Sequence, residues 1–183
     1  MILTMNDFSW QSFLDKFSQL LIESDEGYCK YPGATEEEIA AAEARLGTQL
    51  PPSYKSFLRV SNGWSAMGST MPGELWSTGE TEWLRWCYPE SIEIWGNEEI
   101  SREEHLETQG SPGDRYNGKY MENCLAISGW GDACIVFMCP EIVTPKGEWE
   151  LWKLASWIPG VDRWSSFQNW MIDSYQFLID NRQ

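Results

Sequence analysis

Residues 124–138 read CLAISGWGDACIVFM: two apolar runs, Cys124 to Ser128 and Ala133 to Met138, on either side of Gly129-Trp130-Gly131-Asp132. Short apolar runs bracketing a turn-rich tetrapeptide predict a β-hairpin. The second run is apolar at both alternate positions, which places it in mid-sheet. A third strand is predicted over Trp149 to Leu154, after the break at Pro145-Lys146-Gly147. Further on, Trp164, Phe167, Trp170, Met171, Tyr175 and Leu178 recur at helical spacing and predict a C-terminal helix with Asp162 as its candidate cap.

Upstream of the hairpin the periodicity is helical. Trp10, Phe13, Leu14, Phe17, Leu20 and Leu21 form one apolar stripe of an N-terminal helix. Tyr31-Pro32-Gly33 predicts a turn, and Thr35 with Glu38 a capping box, in which the hydroxyl accepts from an early helical N–H while the glutamate reaches back. Ile39, Ala42 and Leu46 continue that helix to a left-handed stop at Gly47. Pro51-Pro52 opens a helix with Tyr54, Phe57 and Leu58 on one face, and Asn62-Gly63 closes it. Residues 64–91 read as an irregular, aromatic-bearing region with a short strand near Glu74 to Trp76. Ile92 to Trp95 predicts a further strand, and Asn97 the cap of a helix over Glu98 to Thr108. The order of helices, strands and helix gives the α+β class, a mixed, largely antiparallel β-sheet packed against N-terminal and C-terminal helices, as a single domain over residues 1–183.

Composition narrows the function. With 183 residues and 42% hydrophobic content the chain is long enough to bury a core without metal or disulfides. Met1 to Trp10 lacks a basic n-region and carries Asn6 and Asp7, and no stretch approaches the ~20 apolar residues of a membrane span. The expectation is a soluble, cytoplasmic protein. Five cysteines (Cys29, Cys87, Cys124, Cys134, Cys139) at irregular spacing fit neither a disulfide framework nor a zinc site, and read as buried free thiols. A formal net charge of −15 repels phosphates and anionic membrane, which disfavours direct nucleic-acid or membrane binding. Residues 61–110 hold ten acids against two arginines, so an acidic middle facing a basic partner is inferred, with a merely solvated face as the alternative.

No catalytic set is legible. The one histidine, His105, lies in a run of glutamates and reads as a solvated surface residue; pairs such as Glu98 with Glu99 or Glu103 with Glu104 do not face each other on a helix. Gly129-Trp130-Gly131 lies inside the hairpin with no following lysine or helix, and holds no cofactor. No catalytic, cofactor-binding or metal-ligating residue is therefore assigned, and an enzyme is the least favoured class. Twelve tryptophans are the unusual feature. Trp10, Trp164 and Trp170 sit on helix stripes and read as core, whereas Trp64, Trp76, Trp83 and Trp86 share the loop region with the acids, where they can anchor an interface or stack on sugar rings. The partner-binding candidates are Glu93, Glu98, Glu99, Glu103, Glu104 and Glu107 with Trp64, Trp76 and Trp83.

The segment Pro32 to Ile39, continuing through Glu43, Leu46, Gly47, Leu50-Pro51-Pro52-Ser53-Tyr54, Phe57-Leu58 and Ser61-Asn62-Gly63-Trp64, resembles the signature of the SUKH superfamily, which includes the Smi/Knr-type fungal cell-wall regulators. The resemblance implies a mixed α+β fold and, in bacteria, an immunity protein that neutralises a polymorphic toxin, often a nuclease, by binding it. It implies a cognate protein toxin as partner; the acidic charge adds that the toxin is basic. The motif residues it carries over are structural: a cap, a Pro-Pro helix start and a helix stop. The alternative it leaves is an intracellular regulatory scaffold binding several partners, and a carbohydrate-binding module is a third reading. Since the cysteine spacing and the lone histidine offer no tetrahedral ligand set, elemental analysis of the purified protein is expected to find no stoichiometric zinc.

Overall fold

The computed structural model describes residues 8–23, 29–65, 73–109, 113 and 115–181, with Cys29 as backbone only. Asn6 and Asp7, on which the reading of the N-terminus rests, and residues 66–72 of the irregular region lie outside them. In chain order the first elements are α1 (Trp10–Glu23), β1 (Cys29–Lys30), α2 (Glu36–Leu46), α3 (Pro52–Leu58), β2 (Trp64–Ser65), β3 (Glu82–Trp83) and α4 (Leu84–Cys87). They are followed by α5 (Pro89–Trp95), α6 (Arg102–Glu107), a 3-10 helix (Gly118–Asn123), β4 (Leu125–Ala126), β5 (Cys134–Val143), β6 (Trp149–Ala155), β7 (Asp162–Trp164) and α7 (Phe167–Asp180).

The strands β3-β4-β5-β6-β7 form one antiparallel sheet in sequence order, with β5 in the middle. Strand parity then sorts the core into two layers. Val136 and Met138, with Leu125, Ile127 and Leu151, face the layer built by Leu14 and Phe17 of α1, Tyr54 and Phe57 of α3, and Phe167 and Trp170 of α7. Ile135, Phe137 and Cys139, with Ala126, Trp152 and Leu154, face the opposite layer, which holds Leu84, Tyr116 and Met121. The pair β1-β2 is joined to the sheet through Leu75, which bridges to Trp64 on one side and Ser128 on the other.

The local signals act as their chemistry requires. Glu38 N–H donates to Thr35 Oγ1 at 3.2 Å while Thr35 N–H donates to Glu38 Oε2 at 2.7 Å, and Gly47 ends α2 at φ 70°. Pro52 stands in the first turn of α3, and Tyr54, Phe57 and Leu58 are fully buried. The hairpin closes through reciprocal bonds between Gly131 and Cys134, with Asp132 and Ala133 both at positive φ, the twist that suits a two-residue connection. The predicted run in mid-sheet is the central strand, and it bulges between Cys139 and Val143, where Pro140 cannot donate to the ladder.

Five features differ from the sequence reading. Tyr31-Pro32-Gly33 forms no turn; its backbone lies on the end of α3, with Asn62 N–H donating to Pro32 O and Ala34 N–H to Leu58 O, so close that a Cβ on Gly33 would meet Arg59 O at 1.9 Å. Ile92 to Trp95 is helical and belongs to α5, because Pro89 presets the first turn and Ile92 and Trp95, three residues apart, share the buried side. Asn97 caps nothing downstream: its amide donates to Glu93 O, and Ser101 caps the shorter α6 by accepting from Glu104 N–H at 3.0 Å. Asp162 lies in β7, paired with Lys153 at 3.1 Å, and Ser166 caps α7. Near Glu74 to Trp76 the structure has isolated bridges at Leu75 instead of a strand.

The Tyr54 ring packs on Phe167 at 5.0 Å, yet its hydroxyl is buried without a hydrogen-bond partner among the described residues. Burial, then the charge of Glu80, holds the phenol far above its ordinary value. A folded value raised above the unfolded ~10 gives stability that is complete below pH ~10 and declines as pH rises further. In urea melts, Phe57→Ala is expected to cost ~3–5 kcal/mol. Tyr54→Phe is expected to be neutral or stabilising by up to ~1–3 kcal/mol at neutral pH, and to lose less than wild type above pH ~10. A Tyr54→Phe protein as destabilised as Phe57→Ala would show that the hydroxyl is bonded.

Candidate functional site

Strand parity that points Trp152 and Leu154 toward the second layer points Glu150 there too, and β7 sets Arg163 directly across from Trp152. A carboxylate 1% exposed and a guanidinium 3% exposed must be paired, since an isolated buried ion costs several kcal/mol. Glu150 Oε1 accepts from Arg163 Nη1 at 3.3 Å and from Gln109 Nε2 at 2.5 Å; its Oε2 accepts from Trp152 Nε1 at 2.6 Å and from His105 Nε2 at 2.8 Å. Arg163 Nη2 donates to His105 O at 2.7 Å and to Thr108 Oγ1 at 2.8 Å.

His105 is thus the opposite of the solvated residue expected from its run of glutamates: it is fully buried. Its Nδ1 accepts from Asn117 N–H at 3.0 Å and so carries no proton, which leaves the proton on Nε2 to be donated to Glu150. The contact is a hydrogen bond, and the ion pair of the cluster is Glu150 with Arg163. His105, Glu150 and Arg163 are buried, so the centre of the cluster offers no access to a substrate. They fix the roll of α6 about its axis, with His105 inward and Glu103, Leu106 and Glu107 outward. A leucine 47% exposed beside a buried histidine inverts ordinary hydropathy, and only the buried partners explain it.

The outward side is acidic. Glu93 on α5, Glu98 and Glu99 in the following loop, and Glu103 and Glu107 on α6 are exposed, and Glu104 is half-exposed. Arg115 gathers two of them, pairing with Glu98 at 3.1 Å and with Glu104. Lys119, on the 3-10 helix, pairs with Glu99 at 2.8 Å, and its hydrogen bond, followed by its charge, holds that carboxyl below the usual range. Glu93, Glu103 and Glu107 form no ion pair among the described residues. The 3-10 helix can sit this close because Gly118 meets Gly96 backbone to backbone, where a Cβ would come within 2.5 Å, and Gly118 N–H donates to Glu98 O.

At its other end the same 3-10 helix receives α4, with Arg85 Nη1 donating to Glu122 O at 3.1 Å and Asn123 Oδ1 at 3.2 Å. The Arg85 guanidinium also lies over the rings of Trp83 at 5.2 Å and Trp86 at 5.7 Å. Of the candidate tryptophans, Trp64 is fully buried in the first layer beside Phe17, which removes its ring from any surface. Trp76 stacks on Tyr88, and Trp83 donates from Nε1 to Leu46 O at 3.2 Å; both are half-buried. Trp86, left out of the candidate set, is 70% exposed. Its neighbours Leu84 and Cys87 turn inward, and that helical step within a four-residue helix was the available signal.

Cys124, Cys134 and Cys139 are buried free thiols and Cys87 is half-buried, its thiol pushed up to about 11 chiefly by burial; the Cys29 side chain lies outside the described residues. Among the described residues no group of three or more His, Cys, Asp or Glu could hold a metal ion, and no described helix is long and apolar enough to cross a membrane.

Among known families, the chain matches the SMI1 / KNR4 family (SUKH-1) over residues 33–173. No curated protein matches it. The matched span takes in the whole sheet and both layers except α1 and the end of α7.

Glu150→Gln leaves the Arg163 charge uncompensated in the interior and is expected to cost ~3–5 kcal/mol in chemical denaturation. Glu103→Gln, on the outward side of α6, is expected to stay within ~0.5 kcal/mol. Equal effects would contradict the sealed ion pair.

Proposed function

The chain belongs to the SMI1 / KNR4 family (SUKH-1), and from that premise we propose that it is an immunity protein, a single non-enzymatic domain over residues 1–183 that neutralises a polymorphic bacterial toxin by occlusion in the cytoplasm. The observation that carries the reading is the acidic side of α5 and α6, where Glu93, Glu103 and Glu107 stand exposed and form no ion pair among the described residues. Unpaired carboxylates on one side of a chain of net charge −15 attract a basic partner from a distance. A nuclease toxin is such a partner, because it must present cations to phosphates. Glu98, Glu99 and Glu104 belong to the same surface as a rim already neutralised by Arg115 and Lys119. Trp76 and Trp83 contribute to it through the edges that their packing leaves open, and Trp86 adds an indole able to enter a pocket. The acidity that suits a basic protein also opposes direct contact with nucleic acid or anionic membrane.

The test is kinetic, with a catalytically dead form of the toxin domain that a pull-down on this chain captures as the probe. Rim charge acts on association, and a buried aromatic anchor acts on dissociation. Glu103→Lys combined with Glu107→Lys is expected to slow association by about tenfold at low salt, with the difference shrinking as salt rises. Trp86→Ala is expected to hasten release and leave association nearly unchanged. Association that is independent of salt and equal in the lysine variant would place the partner surface elsewhere.

A further inference from the structure

The β4-β5 register runs Leu125 to Met138 and Ala126 to Phe137, so one step further Cys124 stands directly across from Cys139. The ladder's alternation is fixed by Ile127 N–H, which donates to Val136 O at 3.1 Å. Hydrogen-bonded and non-hydrogen-bonded pairs alternate along antiparallel strands, so Leu125 with Met138 is again a bonded pair and Cys124 with Cys139 a non-bonded one. The backbone of Cys124 agrees: its carbonyl accepts from Leu84 N–H at 2.8 Å and its N–H donates to Met121 O at 3.1 Å, both away from β5. Non-bonded pairs bring their Cα atoms to ~4.5 Å, within the ~4.4–6.8 Å that a disulfide spans.

Both side chains lie on the same face, fully buried in the second layer. Cys134, of opposite parity on β5, points to the other face, and the Cys87 thiol donates to Trp83 O at 3.4 Å on α4. We infer that Cys124 and Cys139 are a disulfide-forming pair, able to close a cross-strand S–S bond when the protein meets an oxidant of the small-molecule disulfide class. With oxidised glutathione the S–S bond between the cysteines forms and that of glutathione breaks. The pair gives up two electrons, and its two thiol protons end on the two glutathione thiols produced.

Burial, and then the neighbouring Cys139 thiol, hold Cys124 well above its ordinary range, so Cys124 rests as a thiol and reacts slowly. Its cover is the 3-10 helix, whose Tyr120 carbonyl accepts from Cys124 Sγ at 3.3 Å. Exchange therefore waits on opening of that one element. Once closed, the bond pins to β5 the end of the 3-10 helix that receives α4, opposite the end at Gly118 that meets the loop presenting Glu98 and Glu99.

The full chain, folded, is incubated with excess oxidised glutathione in a series of urea concentrations below its unfolding midpoint, then denatured, alkylated with iodoacetamide and weighed. Alkylated thiols are expected to fall from five to three, with peptide mapping joining Cys124 to Cys139, and faster as urea loosens the cover. Cys134→Ser is expected to keep the link. Cys139→Ser is expected to abolish it and to retain glutathione on Cys124 instead. Five alkylated thiols at every urea concentration, or a link that maps to any other pair, would overturn the inference.

Discussion

A strand that is apolar at both parities cannot rest against solvent on either side, and β5 is such a strand: every residue from Cys134 to Cys139 is buried. The chain must therefore supply two covering layers. The first comes from α1, α2, α3 and α7, at the two ends of the sequence. The second has to come from inside the sheet's own connectivity, and it does: between the adjacent strands β3 and β4 the chain leaves the sheet at Leu84 and returns at Leu125, laying α4, α5, α6 and the 3-10 helix over the second face. A hairpin connection would have joined those two strands more cheaply in chain entropy and left Phe137 and Trp152 wet. The excursion that carries the acidic surface exists because β5 and β6 need a lid.

Apolar contact alone leaves a short helix free to roll, and α6 has only six residues with little apolar surface. The buried polar cluster removes that freedom. Glu150, His105 and Arg163, with Gln109, are joined by hydrogen bonds in one orientation of the helix, and any other takes those bonds away from the buried carboxylate and guanidinium. The cluster adds little net stability, because desolvation offsets most of the attraction between its ions. What it contributes is orientation, and orientation decides which way Glu103 and Glu107 point.

How much of this was legible in the sequence follows from the range of each signal. The capping box at Thr35 and Glu38, the Pro52 helix start, the stop at Gly47 and the hairpin around Gly131 are encoded within four or five residues, and each stands where the sequence places it. Stripes such as Phe167, Trp170, Met171 and Leu178 are nearly as local. His105 was misread because its partners Glu150 and Arg163 lie 45 and 58 residues away, and no pattern around it records them. Trp64 was misread for a related reason: flanking glycine and serine suggest a loop, whereas pairing with Lys30 and Leu75 carries it into the core. The acidic character of the middle segment was plain from composition, but which glutamates stand free depends on Arg115 and Lys119, which lie outside that segment.

That last dependence bears on recognition. Arg115 holds Glu98 and Glu104 to each other, and Lys119 holds Glu99 to the 3-10 helix, so the cations of residues 111–123 order half of the acidic surface while cancelling its local charge. Exposed pairs of this kind add little to stability. Their effect is on entropy: side chains already fixed lose less freedom when a partner arrives, whereas the free glutamates on either side supply the field that brings it in. Attraction and pre-organisation are thus assigned to different residues of one surface, and neither can be increased by adding acid alone, since every further glutamate needs either a cation to order it or enough separation to avoid repelling its neighbours.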